Sequence, residues 1–265
     1  MNLYRFAHQS ANAALEKLGL RLIKYPPDPL NCRIRQIERN SIDLVLDVGA
    51  NAGQHAQMLR KAGYRGEIIS FEPQPTAFAT LERLASQDGR WTARNCAVGA
   101  EQGRLTLNVA ENSVASSALP IGQASLDAAP ECRYTGTIEV EVVTLAETLS
   151  SHADRGIMLK IDVQGFEPQV LEGCGEWLDR VAVLDVEMAL APIYEGQALF
   201  DEVDTWIRDR GFRRVGFDQA FWNRETGELL ALDGIYARTE VNVAPRALRS
   251  PRSPPKREKT QSRSG

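Results

Sequence analysis

Residues 43–75, DLVLDVGANAGQHAQMLRKAGYRGEIISFEPQP, decide how the chain is read. Residues 42–48, IDLVLDV, are a near-continuous apolar run, as expected of a strand buried on both faces of a sheet. Residues 49–53 form a glycine turn. Residues 54–62 predict a helix, with Gly63 placed to end it. Residues 67–71, EIISF, predict a second strand that Glu72 closes. Pro75 then opens a helix over residues 75–85. Many nucleotide-binding sheets begin with this order of strand, turn, helix, strand and acid.

Working outward, WTARNCAV (91–98) predicts a third strand. RLTLNVA (104–110) and TIEVEVVTL (137–145) alternate apolar and polar residues, the pattern of antiparallel strands with one wet face. The serine-rich stretch between them, residues 111–130, reads as a mobile loop. IMLKIDV (157–163) and VAVLDVE (181–187) return to buried-strand character, with a helix from about residue 167 between them. A helix over 199–211 closes at Gly211, and RRVGF and GIYARTEV are late strands able to pair. The expected fold is α/β: a doubly wound, mostly parallel, Rossmann-like sheet with a terminal antiparallel pair.

The 265 residues are 43% hydrophobic and 25% charged, an ordinary globular profile. Charge is uneven. Residues 244–265 hold seven Lys/Arg and one acid, whereas residues 1–243 hold 24 Lys/Arg against 34 Asp/Glu. An acidic body argues against a nucleic-acid surface on the fold itself. Cys32, Cys96, Cys132 and Cys174 form no C-x-x-C pair, so neither a zinc site nor a disulfide framework is indicated, and a reducing cytoplasm is expected. No run approaches the ~20 apolar residues of a membrane span. The expected organisation is an N-terminal helical extension (1–40, its amphipathic helix ending before Pro26), a catalytic domain (41–243) and a basic disordered tail (244–265).

In open α/β sheets the ligand sits beyond the carboxyl ends of the strands. Glu72 lies 19 residues after Gly53, where an acid accepts hydrogen bonds from ribose hydroxyls. The dinucleotide fingerprint G-x-G-x-x-G is absent, and no Gly-Lys-Ser/Thr follows to make a phosphate loop. Asp47, just before the turn, would repel a pyrophosphate but suit a sulfonium or ammonium. A ribose-bearing cation of that kind is S-adenosylmethionine. The bland alternative is a structural turn with a capping Asp.

DVGANAGQ, FEPQP, NCAVG and LKIDVQGFEPQVLEG together resemble the motifs of the FkbM-type family of S-adenosylmethionine-dependent methyltransferases, in order from about residue 44 to 187 and more weakly to 238. The resemblance implies the class I methyltransferase fold and O-methylation of sugars or secondary metabolites. It implies that Asp47, Gly49, Asn51 and Gly53 line the methionine part of S-adenosylmethionine, that Glu72 holds the ribose, and that residues 95–98, with Asn95, Ala97 and Val98, border the adenine.

LKIDVQGFE carries a second cluster. Lys160 and Asp162 are two apart at a strand end, so they share a face, and Glu187 ends the next buried strand. If those strands are neighbours, Asp162 and Glu187 converge. Asp162 or Glu187 is then the candidate base, with Lys160 orienting a carboxylate or the acceptor. A purely structural Lys160–Asp162 ion pair is the alternative. A divalent cation between Asp162 and Glu187 is a third, although no recognisable ligand spacing supports a metal site. His55 reads as a helix-surface histidine near the cofactor. The loop ENSVASSALP either closes over the cofactor or lies on the surface, and FDQAFW forms either a rim or an ordinary hairpin.

The expected function is methyl transfer to a hydroxyl of a carbohydrate, glycoside or secondary metabolite, with a small-molecule or glycan acceptor. The rivals are an NAD-type oxidoreductase, a methyltransferase fold that binds without turnover, and an RNA methyltransferase using the basic tail. Oligomeric state is not readable.

Overall fold

The computed structural model describes residues 12, 15–20, 22 and 27–239. The expected amphipathic helix before Pro26 and the basic tail fall largely or wholly outside these residues. A helix, α1 (Asp28–Arg39), follows Pro27; its sequence signal is Leu30, Arg33 and Ile37 on one buried face. The chain then runs β1 (Leu44–Val48), α2 (Gln54–Lys61), β2 (Glu67–Phe71), α3 (Pro75–Ala85) and β3 (Trp91–Arg94), close to the predicted bounds.

Next come β4 (Ala97–Val98), β5 (Gly103–Ala110), α4 (Gln123–Ala128), β6 (Tyr134–Val143) and α5 (Leu145–Ser151). β7 (Ile157–Ile161), α6 (Glu167–Glu172), β8 (Val181–Ala189), α7 (Phe200–Asp209), β9 (Phe212–Trp222) and β10 (Leu229–Arg238) complete the fold. The main sheet has the order β3-β2-β1-β7-β8-β10-β9. Its first five strands are parallel, and β10 runs antiparallel to both neighbours. This is the expected doubly wound sheet with its terminal antiparallel pair. Strand order reverses between β1 and β7, so the cleft opens above the ends of those two strands.

Burial explains why β1 had to be apolar. All five of its residues are buried, and they alternate between two cores. Leu44, Leu46 and Val48 face α5, α6 and α7, whereas Val45 joins residues of α1, α2 and α3. Each such Leu contributes about 1.5–3 kcal/mol on burial. Asp47 interrupts this pattern deliberately. It pairs in register with Ser70 on β2 and Lys160 on β7, and Lys160 pairs with Asp185 on β8, making one polar row across the strand ends.

Two predicted elements differ. The strand expected over 91–98 breaks at Asn95, whose amide donates to the Glu72 and Pro73 carbonyls. Its second half, β4, leaves the main sheet and joins β6 and β5 in a separate three-stranded sheet. The stretch 111–130, read as a mobile loop, contains a 3-10 turn (Ser113–Ala115) and α4. Its anchors are tertiary: Ser113 Oγ accepts from Asn51, and Ser117 Oγ donates to the Gln164 carbonyl at 2.6 Å. Neither was visible in local pattern. Helix α5 was also missed, because the alternating run of β6 was read through to residue 145.

Candidate active site

The glycine turn after β1 is held by close approach. Gly49 has φ +75°, and a Cβ there would lie 1.7 Å from the Asp162 carbonyl oxygen. No side chain fits, so only glycine lets the ends of β1 and β7 meet. Gly53 has φ +85° and packs against Trp91, where a Cβ would sit 2.8 Å from the ring. It starts α2 and does not line the cavity.

A cavity of about 570 Å³ lies over the strand ends. That is the size of a small-molecule site. Glu72 stands at one side, 6% exposed, with Oε2 accepting from the Asn51 N–H and Oε1 from the Gln74 N–H, both at 2.8 Å. Burial pushes its carboxyl above the ordinary range, while the two N–H donors oppose the shift. Gly49, Asn51, Ala97 and Val98 line the same side, with Cys96 beside them. Asn95 is exposed and does not line the cavity. Asp47 does not line it either. Fully buried, it accepts from Ser70 Oγ at 3.1 Å and faces Lys160 Nζ at 3.7 Å, while its Oδ1 has no hydrogen bond. The charge expected to face a sulfonium is therefore shared with Lys160.

Lys160 Nζ donates to Asp162 Oδ2 at 3.1 Å and to the Gly49 carbonyl at 3.3 Å. Asp47 is its third neighbour, an ion-pair contact at 3.7 Å rather than a hydrogen bond. Burial would neutralise Lys160, but Asp162 and Asp47 outweigh it and hold the ammonium charged.

β7 and β8 are neighbours, and Asp162 and Glu187 do converge. Gln164 bridges them, its amide donating to Asp162 Oδ1 at 2.7 Å and Glu187 Oε2 at 2.5 Å. Tyr194 fixes the amide by donating to Gln164 Oε1 at 2.7 Å. Burial raises the Asp162 carboxyl, but Lys160 and Gln164 more than reverse this and keep it ionised. Glu187 goes the other way: burial, then Asp162 and Asp233, push it well above the usual carboxylate range. The two carboxyls therefore shift in opposite directions, Asp162 down and Glu187 up.

The far side of the cavity is lined by Arg33, Asp218 and Asp233. Arg33, 3% exposed, donates to Asp185 at 2.6 and 3.2 Å, to Asp218 at 2.7 Å and to Asp233 at 2.9 Å. Sequence reasoning missed Arg33, Gln164, Tyr194, Asp218 and Asp233. The signal for Arg33 was an arginine on the apolar face of α1. Tyr194 carried none. His55 lines the cavity rather than the outer surface. Its Nε2 is buried without a hydrogen-bond partner among the described residues, and burial, opposed by Asp47 and aided by the Lys160 and Arg33 charges, pushes the imidazole down to about 4. The loop left open between lid and surface lines the cavity through Asn112, Ser113 and Ser116, and Phe221 of the final hairpin lines it too. Among the described residues no group of three or more His, Cys, Asp or Glu is arranged to hold a metal ion, and no helix is long and apolar enough to cross a membrane.

The profile of the Methyltransferase FkbM domain matches residues 47–214, more than half of the chain, from Asp47 through every strand up to β9. The chain belongs to the FkbM family of methyltransferases. Methyltransferase sdnD of Sordaria araneosa is 26% identical over 206 residues, spanning 67% of this chain and 76% of that protein. The 2-O-methyltransferase NoeI of Sinorhizobium fredii is 26% identical over 161 residues, spanning 58% and 66%. The solved structure of methyltransferase FkbM from Methylobacillus flagellatus KT aligns with a TM-score of 0.47 at 14% identity, covering 73% of this chain and 43% of that one. Glu72, Lys160, Asp162, Gln164 and Glu187 fall inside the FkbM segment. Arg33, Asp218 and Asp233 fall outside it.

Proposed function

We propose that this FkbM methyltransferase uses S-adenosylmethionine to methylate a hydroxyl of a carbohydrate, glycoside or secondary metabolite. The observation that carries the reading is one cavity with Glu72 at one side and the Asp162–Glu187 pair above the next strands. The fit to the donor rests on residues present. Glu72 gives each oxygen to one backbone N–H and retains lone pairs for ribose hydroxyls. Cys96, Ala97 and Val98 offer an apolar wall for adenine, and Gly49 and Asn51 line the cavity on the side where the methionine part would lie. Asp47, Gly53 and Asn95 lie outside the cavity lining. When bound, S-adenosylmethionine supplies a methyl group on a sulfonium.

The chain's own part is to align a hydroxyl and take its proton. Asp162 is the ionised member of the pair and receives the proton. Glu187 keeps its own. Lys160, bonded to Asp162 and the Gly49 carbonyl, positions Asp162 rather than touching the acceptor. The relative named as a 2-O-methyltransferase supports oxygen as the atom methylated.

Calorimetric titration of the full chain with S-adenosylmethionine and with NAD tests the donor. Radiolabelled methyl transfer to a panel of neutral sugars and glycosides tests the acceptor. Binding of NAD in place of S-adenosylmethionine would sink the reading.

A further inference from the structure

We propose that Arg33, Asp218 and Asp233 form the acceptor-binding end of the cavity and select a polyol that carries no anionic group. The inference rests on the methyltransferase reading above and adds to it the substrate class and the residues that choose it. Position comes first. Glu72 ends β2 and Asp233 lies on β10, four strand spacings away in the order β2-β1-β7-β8-β10. At ~4.8 Å per spacing that is about 19 Å, with Asp162 and Glu187 between. A donor held at Glu72 and an acceptor beyond Asp162 are thus laid out along one cavity.

Charge comes second. Among the described residues, Arg33 and Lys160 are the Lys/Arg side chains that line it. Neither is available to an anion. Lys160 donates to Asp162 and the Gly49 carbonyl and faces Asp47 at 3.7 Å, so its charge is already matched by two carboxylates. Arg33 is locked by three acids; burial, with Asp185 and Asp162 nearby, pushes the Asp233 carboxyl up to about 7, but Asp185 and Asp218 alone outnumber the one guanidinium and leave the surplus negative. A phosphate or carboxylate on the acceptor would meet like charge and no free cation. A sugar hydroxyl both donates and accepts, and a carboxyl group offers acceptor lone pairs when ionised and one O–H donor when protonated. Asp218 and Asp233 each commit Oδ2 to Arg33 and keep acceptor capacity.

Two further observations point to a ligand there. His55 lines this cavity, and its buried Nε2 has no hydrogen-bond partner among the described residues. Phe221 and Ile193 lend the same wall an apolar surface for the C–H face of a ring. Arg33 is then a positioning residue. Its planar fork fixes Asp218 and Asp233 at distances a lysine could not reproduce together. The three lie outside residues 47–214, so selection of the acceptor is built on elements separate from those that hold the pair.

The test uses the full chain saturated with S-adenosylhomocysteine. Four probes are titrated calorimetrically: methyl α-glucoside, glucosamine, glucose 6-phosphate and glucuronate. We expect the neutral and amine-bearing sugars to bind at least tenfold more tightly than the two anions. Asp218→Asn should weaken methyl α-glucoside severalfold and strengthen glucose 6-phosphate, a charge-specific change that a packing role would not produce. Arg33→Lys should weaken the sugars about tenfold with S-adenosylhomocysteine affinity within twofold. Should Arg33→Lys fail to fold, Asp218→Asn, whose side chain is 34% exposed, carries the decision. Anions binding as well as the neutral sugar, no probe binding at all, or Asp218→Asn leaving the ranking untouched overturns the assignment. Failure of the wild type to bind S-adenosylhomocysteine would instead refute the methyltransferase-site reading.

Discussion

Replacing Glu72 with alanine separates a ribose-binding residue from a simple clamp. The carboxylate is 6% exposed and ties the turn after β1 to the turn after β2 through two 2.8 Å bonds. Alanine leaves the N–H groups of Asn51 and Gln74 without their acceptor. Each buried orphan costs about 1–3 kcal/mol. The gain from no longer burying a carboxylate, visible as its upward-shifted pKa, offsets part of this. The expected loss of stability is therefore about 2 kcal/mol, readable as a lower urea midpoint at unchanged slope. Ligand binding should weaken separately, by about 1–3 kcal/mol for the unmade ribose bonds, which is roughly 5- to 150-fold in Kd. Isothermal titration with S-adenosylhomocysteine, below the unfolding transition, measures this second term. Glu72→Gln keeps one acceptor oxygen and should fall between the two. A folded Glu72→Ala protein with affinity within twofold of wild type would refute the ribose role and leave Glu72 as a clamp alone.

Three other outcomes are expected. Asp162→Asn should lower the methyl-transfer rate by ~10²–10⁴, the usual worth of a positioned base, with S-adenosylhomocysteine affinity nearly unchanged; wild-type turnover would remove Asp162 from the proton transfer. Gly49→Ala should give protein that is insoluble or unable to bind the donor, because its Cβ would collide with the Asp162 carbonyl at a φ of +75°; a soluble, binding-competent variant contradicts the close approach. Glu167, buried and accepting from the N–H groups of Val163 and Gly165, is pushed up from 4.5 to about 7 by burial. A raised carboxyl favours the protonated form, so its contribution is full below about pH 4.5 and lost as pH rises to 7. The ceiling of that loss is about 3 kcal/mol. Glu167→Gln keeps the accepting oxygen and should be more stable than wild type by about 1–3 kcal/mol at pH 8 but not at pH 4.5; equal pH slopes in urea melts would contradict this.

Local pattern determined the parallel core. β1, β2, β7 and β8 are buried on both faces, and such strands are apolar over most of their length, so each stood out as a run broken by the polar row. The glycine turn was equally legible, because a φ of +75° against a neighbouring carbonyl leaves a visible residue choice at Gly49. So was the parity that puts Lys160 with Asp162 and Asp185 with Glu187. Tertiary structure decided what those groups do. Which strands are neighbours set the meeting of Asp162 with Glu187, and their opposite pKa shifts come from what surrounds each: Lys160 and Gln164 for one, Asp162 and Asp233 for the other. Asp47 looked like a ligand-facing carboxylate from its place before the turn. Only the register with Ser70 and Lys160 put it inside the sheet. The far end of the cavity was not readable at all. Arg33, Asp218 and Asp233 lie as many as 200 residues apart, and the bonds that join them depend on how α1 packs over the last hairpin, which no local period encodes.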